Sequence, residues 1–277
     1  MAVRVVTDSV SDIPADIVEE LGITVVPAYV RFGNDVYKDG VELTTDEFFG
    51  RLLNGPDFPA TSQPAIGDFS ETYESVADGA DGIVSVHVSS KVSGTVNSAQ
   101  QGAGVADVAC PIEVVDTLQA SMGSGLVAIA AAKAAQDGGS LVEVTAAARD
   151  AMSRCQCVCL LDTLEYLVKG GRIGKARGML GSLLKIKPLI IIRDGEVHDF
   201  AKERTRRKAV ARLESAAREF GPLDTVSVMY STSRDEAERL ADTLSPVTSN
   251  QPVVARFGPA LGTYVGPNAL GISLLSE

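Results

Sequence analysis

The 277-residue chain contains no tryptophan, and all aromatics together make up only 5% of it. A stacking platform for single-stranded nucleic acid needs a row of exposed rings, so that class is excluded. Histidine is nearly missing too, with only His87 and His198, and neither sits in an H-E-x-x-H pattern. The 25 Lys and Arg are outnumbered by 36 Asp and Glu, a net charge of −11. Such a chain cannot neutralise phosphates over a wide surface, which excludes a general nucleic-acid binder. Long apolar runs are absent. The longest, residues 121–132, is interrupted by Gly123 and Gly125 and closed by Lys133, too short to span a bilayer. No apolar leader with a small-residue cleavage site precedes the first strand, so the expected location is the cytoplasm.

Cysteine is scarce and oddly spaced. Cys155, Cys157 and Cys159 alternate, while Cys110 stands apart. On a strand that alternation puts three thiols on one face. Zinc sites prefer C-x-x-C pairs, so buried reduced thiols are expected, with a metal or redox site as the alternative.

What is present is ordinary globular composition, 45% hydrophobic and 22% charged. At about 100–200 residues per domain, the length fits two domains. The first half alternates strand and helix. Strands are expected at residues 3–6, 23–30, 83–88 and 112–115. Helices are expected from Pro14 to Gly22, from Thr44 to Asn54 (a capping box with Glu47), after Gly67, from Thr95, and over residues 121–135. Gly33-Asn34-Asp35 reads as a hairpin turn. This is an α/β pattern with a mostly parallel sheet, assigned to residues 1–155. Residues 156–277 read as a mixed α+β domain. They hold a short helix ending at Gly170-Gly171, a hairpin about Asp194-Gly195, helices at 204–220 and 234–244, and strands at 225–230, 253–257 and 270–274.

Sites in parallel sheets lie beyond the carboxyl ends of strands. That rule selects Thr7-Asp8-Ser9, the loop from Ser89 to Thr95, and Asp116-Thr117. Asp8, Asp116 and Asp162 all follow strands and read as helix caps, or alternatively as metal ligands. His87, in an apolar strand, reads as structural. Gly170 to Lys175 resembles a phosphate loop with the wrong spacing. Thr61-Ser62-Gln63-Pro64 presents hydroxyls in a short extended loop. Ser89-Ser90-Lys91-Val92-Ser93-Gly94-Thr95 offers hydroxyls and amides at a helix start, suited to a carboxylate or phosphate. Residues 258–271 read as a flexible glycine-punctuated loop bordering the same place. The small residues Gly123, Gly125, Ala128, Ala130, Ala131 and Ala132 serve close packing or leave room for a ligand. Charge is also uneven. Residues 169–212 carry 13 basic and 4 acidic side chains, and the remainder 12 and 32. The basic segment, with Arg172, Arg206, Arg207 and Lys208, is either a solvated face or a docking surface.

Taken together, these motifs resemble the bacterial DegV family. The resemblance rests on Thr7-Asp8-Ser9, Thr61-Ser62-Gln63-Pro64, Ser89-Ser90 with Ser93-Gly94-Thr95, and the run from Asp162 through Leu167 to Gly170-Gly171-Arg172-Ile173-Gly174. Lys187-Pro188 and Gly266-Pro267 complete it. It implies a two-domain protein that binds a long-chain fatty acid, with no other cofactor. Thr61 and Ser93 would hold the carboxylate at the domain interface, with Ser62, Gly94 and Tyr264 beside them, and the acyl chain would fill a tunnel in the first domain. It further implies a carrier rather than a phosphotransferase, presenting the lipid to a separate ATP-dependent fatty acid kinase. Tyr264 stands where the family often has histidine, and Asn268 where it has glycine. The remaining readings are a phosphate-handling enzyme using the Ser89 to Thr95 loop with magnesium, and a regulatory protein acting through its basic segment.

Overall fold

The computed structural model describes residues 2–180 and 186–277, so Lys185 of the basic segment lies outside it. The first segment runs β1 (Ala2–Asp8), α1 (Ala15–Leu21), β2 (Thr24–Val26), β3 (Tyr29–Phe32), β4 (Asp35–Lys38), α2 (Thr45–Asn54), β5 (Ala60–Ser62), α3 (Ile66–Val76), β6 (Ala80–His87), α4 (Thr95–Val105), β7 (Ile112–Asp116), α5 (Met122–Gln136) and α6 (Leu141–Arg154). The second runs β8 (Cys155–Leu160), α7 (Glu165–Lys169), β9 (Lys187–Arg193), β10 (Glu196–Glu203), α8 (Arg206–Glu219), β11 (Leu223–Tyr230), α9 (Arg234–Leu244), β12 (Val253–Arg256), α10 (Pro259–Val265) and β13 (Leu270–Ser276).

These elements stack in alternating helical and sheet layers. The first sheet has the order β2-β1-β6-β7 and is parallel throughout. Phe69 and Tyr73 of α3 and Ala99 of α4 pack on one of its faces against Val6 and Ile83. The second sheet, β10-β9-β8-β13-β11-β12, is antiparallel except for β11 with β12. α8 and α9 cover its outer face. α5 lies between the two sheets, touching β1 and β6 on one side and β8 and β13 on the other. A helix with sheets on both sides must be apolar all round, which explains its run of Gly and Ala. A Cβ on Gly125 would come within 2.7 Å of the Ser11 carbonyl, so close packing sets that composition. A small antiparallel sheet, β4-β3-β5, closes one end with Phe32, Phe48 and Phe49.

Most expected elements form. Thr44 and Glu47 make the capping box, and Asp194 (φ 52°) and Gly195 (φ 80°) make the β9–β10 turn. Two positive φ values in a row are what a type I′ hairpin requires. Residues 23–30 are not one strand. Pro27 offers no N–H to a ladder, so β2 joins the parallel sheet and β3 the small one. Residues 258–271 are not simply a loop, because α10 forms there, with Pro259 in its first turn. Gly262 is needed within it, since a Cβ would meet the Phe48 ring at 2.5 Å.

Candidate functional site

Three elements converge on one opening. β5 carries Thr61 and Ser62, and its Thr61 pairs with Val30 of β3. The turn after β6 brings Ser93, whose hydroxyl bonds Thr95 Oγ1 at 2.8 Å and accepts from the Thr95 amide at 3.3 Å. α10 brings Tyr264, whose hydroxyl hydrogen-bonds Thr61 Oγ1. A Cβ on Gly94 would lie 3.0 Å from the Gln63 carboxamide, so the turn packs closely on the end of β5. Thr61, Ser62, Ser93 and Tyr264 line one cavity, and Gly94 packs beside Gln63 at its edge. The expected extended loop at 61–64 thus begins as an edge strand.

The opening leads into an apolar cavity in which the centre of a water-sized sphere can occupy about 110 Å³. Val10 and Val88 form one wall, and Cys157, Cys159, Ile190 and Ile192 another. The walls therefore come from both segments, which corrects the expectation of a tunnel within residues 1–155. None of the small residues from Gly123 to Ala132 borders it, so their role is packing. The three alternating thiols share the inter-sheet core, as expected, and all four cysteines are unpaired. Burial pushes Cys157 up to about 11 and Cys159 well above its ordinary value. Both remain neutral thiols and behave as small apolar wall residues. Neither they nor the isoleucines were singled out by sequence as ligand-facing. Their period-two spacing on β8 and β9 was the available signal.

Arg172 belongs to the mouth as well. Its guanidinium carbon lies 5.2 Å from the Tyr264 ring centroid, and it donates to the carbonyls of Val92 (3.2 Å) and Gly170 (2.9 Å). A Cβ on Gly170 would meet the Tyr264 ring at 2.4 Å. Arg206 lines a different cleft, bound to Glu236 and the Asn268 carbonyl. Arg207 and Lys208 are exposed and make no ion pair among the described residues. The basic residues thus divide between two places.

The carboxylates behind the strands are occupied as caps and partners. Asp8 accepts from Val10 N, Val88 N and His87 Nδ1, while Asp116 accepts from the amides of Ser90 and Leu118. Asp162 pairs with Lys187. Among the described residues no three His, Cys, Asp or Glu side chains are grouped to hold a metal. The turn from Ser90 to Thr95 also spends its amides internally. Lys91 and Thr95 donate to serine hydroxyls, and Val92 and Ser93 to the Ser89 carbonyl. A phosphate nest would need those groups turned toward the ligand.

The layered fold thus sets a hydroxyl-ringed mouth over an apolar cavity between two sheets. The model of the DegV family, described as one of uncharacterised proteins, matches residues 2–277, and the chain belongs to that family. A DegV domain-containing protein of Streptomyces coelicolor is 38% identical over 281 residues, covering 99% of each chain. A DegV family protein from Thermus thermophilus, whose structure is described by its fatty acid binding, superposes with a TM-score of 0.92 at 33% identity over 100% of both chains. DegV from Bacillus subtilis, described as a fatty acid binding protein, gives 0.88 at 30% identity, again over 100% of both. No helix among the described residues is long and apolar enough to cross a membrane.

Proposed function

We propose that this protein binds one long-chain fatty acid, such as palmitate, and carries it. The observation that supports this reading is the gradient along the cavity, from hydroxyls at the mouth to aliphatic side chains and neutral thiols within. Thr61, Ser93 and Tyr264 would donate to the carboxylate, with Ser62 and the Gly94 backbone beside them. Tyr264 donates a hydrogen bond as the family's histidine would, but brings no positive charge. Arg172 supplies charge at the mouth instead. The positive end of the α4 dipole adds to it. The relatives described as fatty acid binding support the same ligand class. We read residues 1–155 as the lipid-binding domain and 156–277 as a second domain that completes the cavity. The loaded protein would present the carboxylate to a separate ATP-dependent kinase, or carry lipid between enzymes, without itself transferring phosphate.

Native mass spectrometry of protein purified from bacteria tests this. One acyl chain per protein is expected, and a delipidated sample should rebind palmitate near one to one. If no acyl chain is found and none rebinds, the carrier reading is wrong.

A further inference from the structure

Behind the cavity wall, four buried side chains form one unbroken hydrogen-bonded row. Tyr73 OH lies 2.8 Å from Ser85 Oγ, Ser85 Oγ lies 2.6 Å from His87 Nε2, and His87 Nδ1 lies 2.9 Å from Asp8 Oδ2. All four residues have 0% exposure. The Phe69 ring meets the imidazole edge-on at 5.0 Å. Serine, histidine and aspartate in this order match the groups of a hydrolytic triad. Here Ser85 is sealed beneath Tyr73, and no substrate carbonyl can reach it.

The row has a direction. A carboxylate only accepts, so His87 donates from Nδ1. With the imidazole neutral, its Nε2 accepts from the Ser85 hydroxyl, while the Tyr73 hydroxyl is placed to donate to the Ser85 oxygen or, at 3.4 Å, to the Ala99 carbonyl. The last group in the row grips backbone. Asp8 Oδ1 accepts from Val10 N at 3.0 Å and Oδ2 from Val88 N at 3.1 Å. Val10 and Val88 are both cavity-wall residues. Val88 also leads directly into Ser89, whose carbonyl accepts from the amides of Val92 and Ser93 at 3.1 Å each. Thr117 clamps the same strand end from the other side, donating to the His87 carbonyl through its amide (3.1 Å) and hydroxyl (2.8 Å).

We propose that Asp8 and His87 are positioning residues for the head-group site, setting through the Val88 backbone where Ser93 stands relative to Thr61 without touching the ligand. The proposal rests on the fatty-acid reading above. Asp8→Asn keeps the shape but replaces one acceptor oxygen with a donor. The amide cannot serve all three donors: with its nitrogen at the Oδ2 place the imidazole proton must move to Nε2 and the Val88 amide loses its acceptor, and with its nitrogen at the Oδ1 place the Val10 amide loses its acceptor.

The test titrates wild type, Asp8→Asn, His87→Phe and His87→Asn with palmitate and with hexadecanol, which has the same chain length and no carboxylate. Asp8→Asn and His87→Phe should weaken palmitate about tenfold, the scale of one hydrogen bond to a charged group. Hexadecanol should change by less than about twofold, since its affinity comes from chain burial. His87→Asn, which keeps a donor at the Nδ1 position, should recover most palmitate binding. The wild-type imidazole should show its proton on Nδ1 by ¹⁵N NMR. Equal losses for both ligands would mean a merely structural role and overturn the proposal, as would a wild-type proton on Nε2. Wild-type palmitate binding with unchanged affinity in both Asp8→Asn and His87→Phe would overturn the positioning role alone. Failure of wild type to bind palmitate would overturn the fatty-acid reading and this proposal with it. Should Asp8→Asn not fold, His87→Phe carries the same comparison.

Discussion

Thr61 and Ser93 come from distant parts of the sequence, yet their hydroxyls border one cavity, so their removal can be compared directly. A hydrogen bond to a charged group is worth roughly 1.5–3 kcal/mol, so Thr61→Ala or Ser93→Ala should each weaken palmitate about 10- to 100-fold. Shortening the chain by about six carbons removes nearly 5 kcal/mol at about 0.8 per CH₂, a factor above 10³. Chain length should therefore outweigh either hydroxyl in a calorimetric series of both variants against long and short acids. Short acids that bind as tightly as long ones would show that no chain lies in the cavity. Gly170 offers a second test, because an added Cβ would strike the Tyr264 ring at 2.4 Å. Gly170→Ala should displace that ring, break its hydrogen bond to Thr61 and mimic Tyr264→Phe in palmitate affinity. Wild-type affinity in Gly170→Ala would show that the ring's position is immaterial. At this scale the polar half of the candidate site was legible, since hydroxyls beside proline and glycine stand out in sequence. The apolar half was not. Ile190 and Cys157 look like any core residues, and only the gap between two sheets makes them wall.

Elements were legible wherever a local signal decided them. The β9–β10 hairpin announces itself through Asp194-Gly195, and α2 through Thr44 and Glu47. α6 carries an equivalent signal, a capping box of Ser140 and Glu143. α10 was hidden. Gly262 costs helix propensity, and the Phe48 and Phe49 rings that require it come from α2, far away in sequence. The start of α10 is also where pH acts. Asp39 accepts from the Ala260 amide at 3.3 Å and from the Ser9 hydroxyl at 2.7 Å. Burial pushes its carboxyl up to about 6 from 3.8, and the nearby Asp8 charge adds to the rise. A carboxyl whose pKa rises on folding holds its proton more tightly in the folded state. The fold therefore gains stability as pH falls from above 6 toward 4, and loses it as pH rises through 6. Asp39→Asn resembles the protonated form and should stabilise the protein at pH 7.5 by up to about 3 kcal/mol, at 1.36 kcal/mol per unit. That advantage should shrink toward pH 4. Urea unfolding across this range measures it, and a less stable variant at pH 7.5 would contradict the assignment.

The whole molecule is held together across its two segments. Ser89 donates to the Gly195 carbonyl at 2.8 Å, the Gly258 amide to Asp12 at 2.9 Å, and the Ala260 amide to Asp39 at 3.3 Å. Because the cavity shares these two segments, a bound acid should stabilise the protein as one unit. At about 100-fold excess over Kd the gain is about 2.7 kcal/mol, which should move a single unfolding transition rather than split it. Two transitions, only one of them shifted by palmitate, would show that the segments bind and unfold independently. The layered architecture was legible as α/β followed by mixed α+β, but the sharing of one core was not, because α5 reveals its second sheet only in three dimensions. The same spatial view revises what the basic segment can do. Arg172 stacks on Tyr264 at the mouth, Arg206 is tied to Glu236, and Arg207 and Lys208 stand exposed. If a kinase docks on this charge, Arg207→Glu with Lys208→Glu should weaken its association and leave palmitate affinity within about twofold, since exposed charges are screened beyond about 8 Å at physiological salt. Arg172→Glu should weaken both, because it places a negative charge beside the ligand carboxylate. Association measured by surface plasmon resonance should also fall with added salt for wild type, and less so for the double variant. Kinase binding that ignores both the double reversal and salt would mean that Arg207 and Lys208 are simply a solvated helix face.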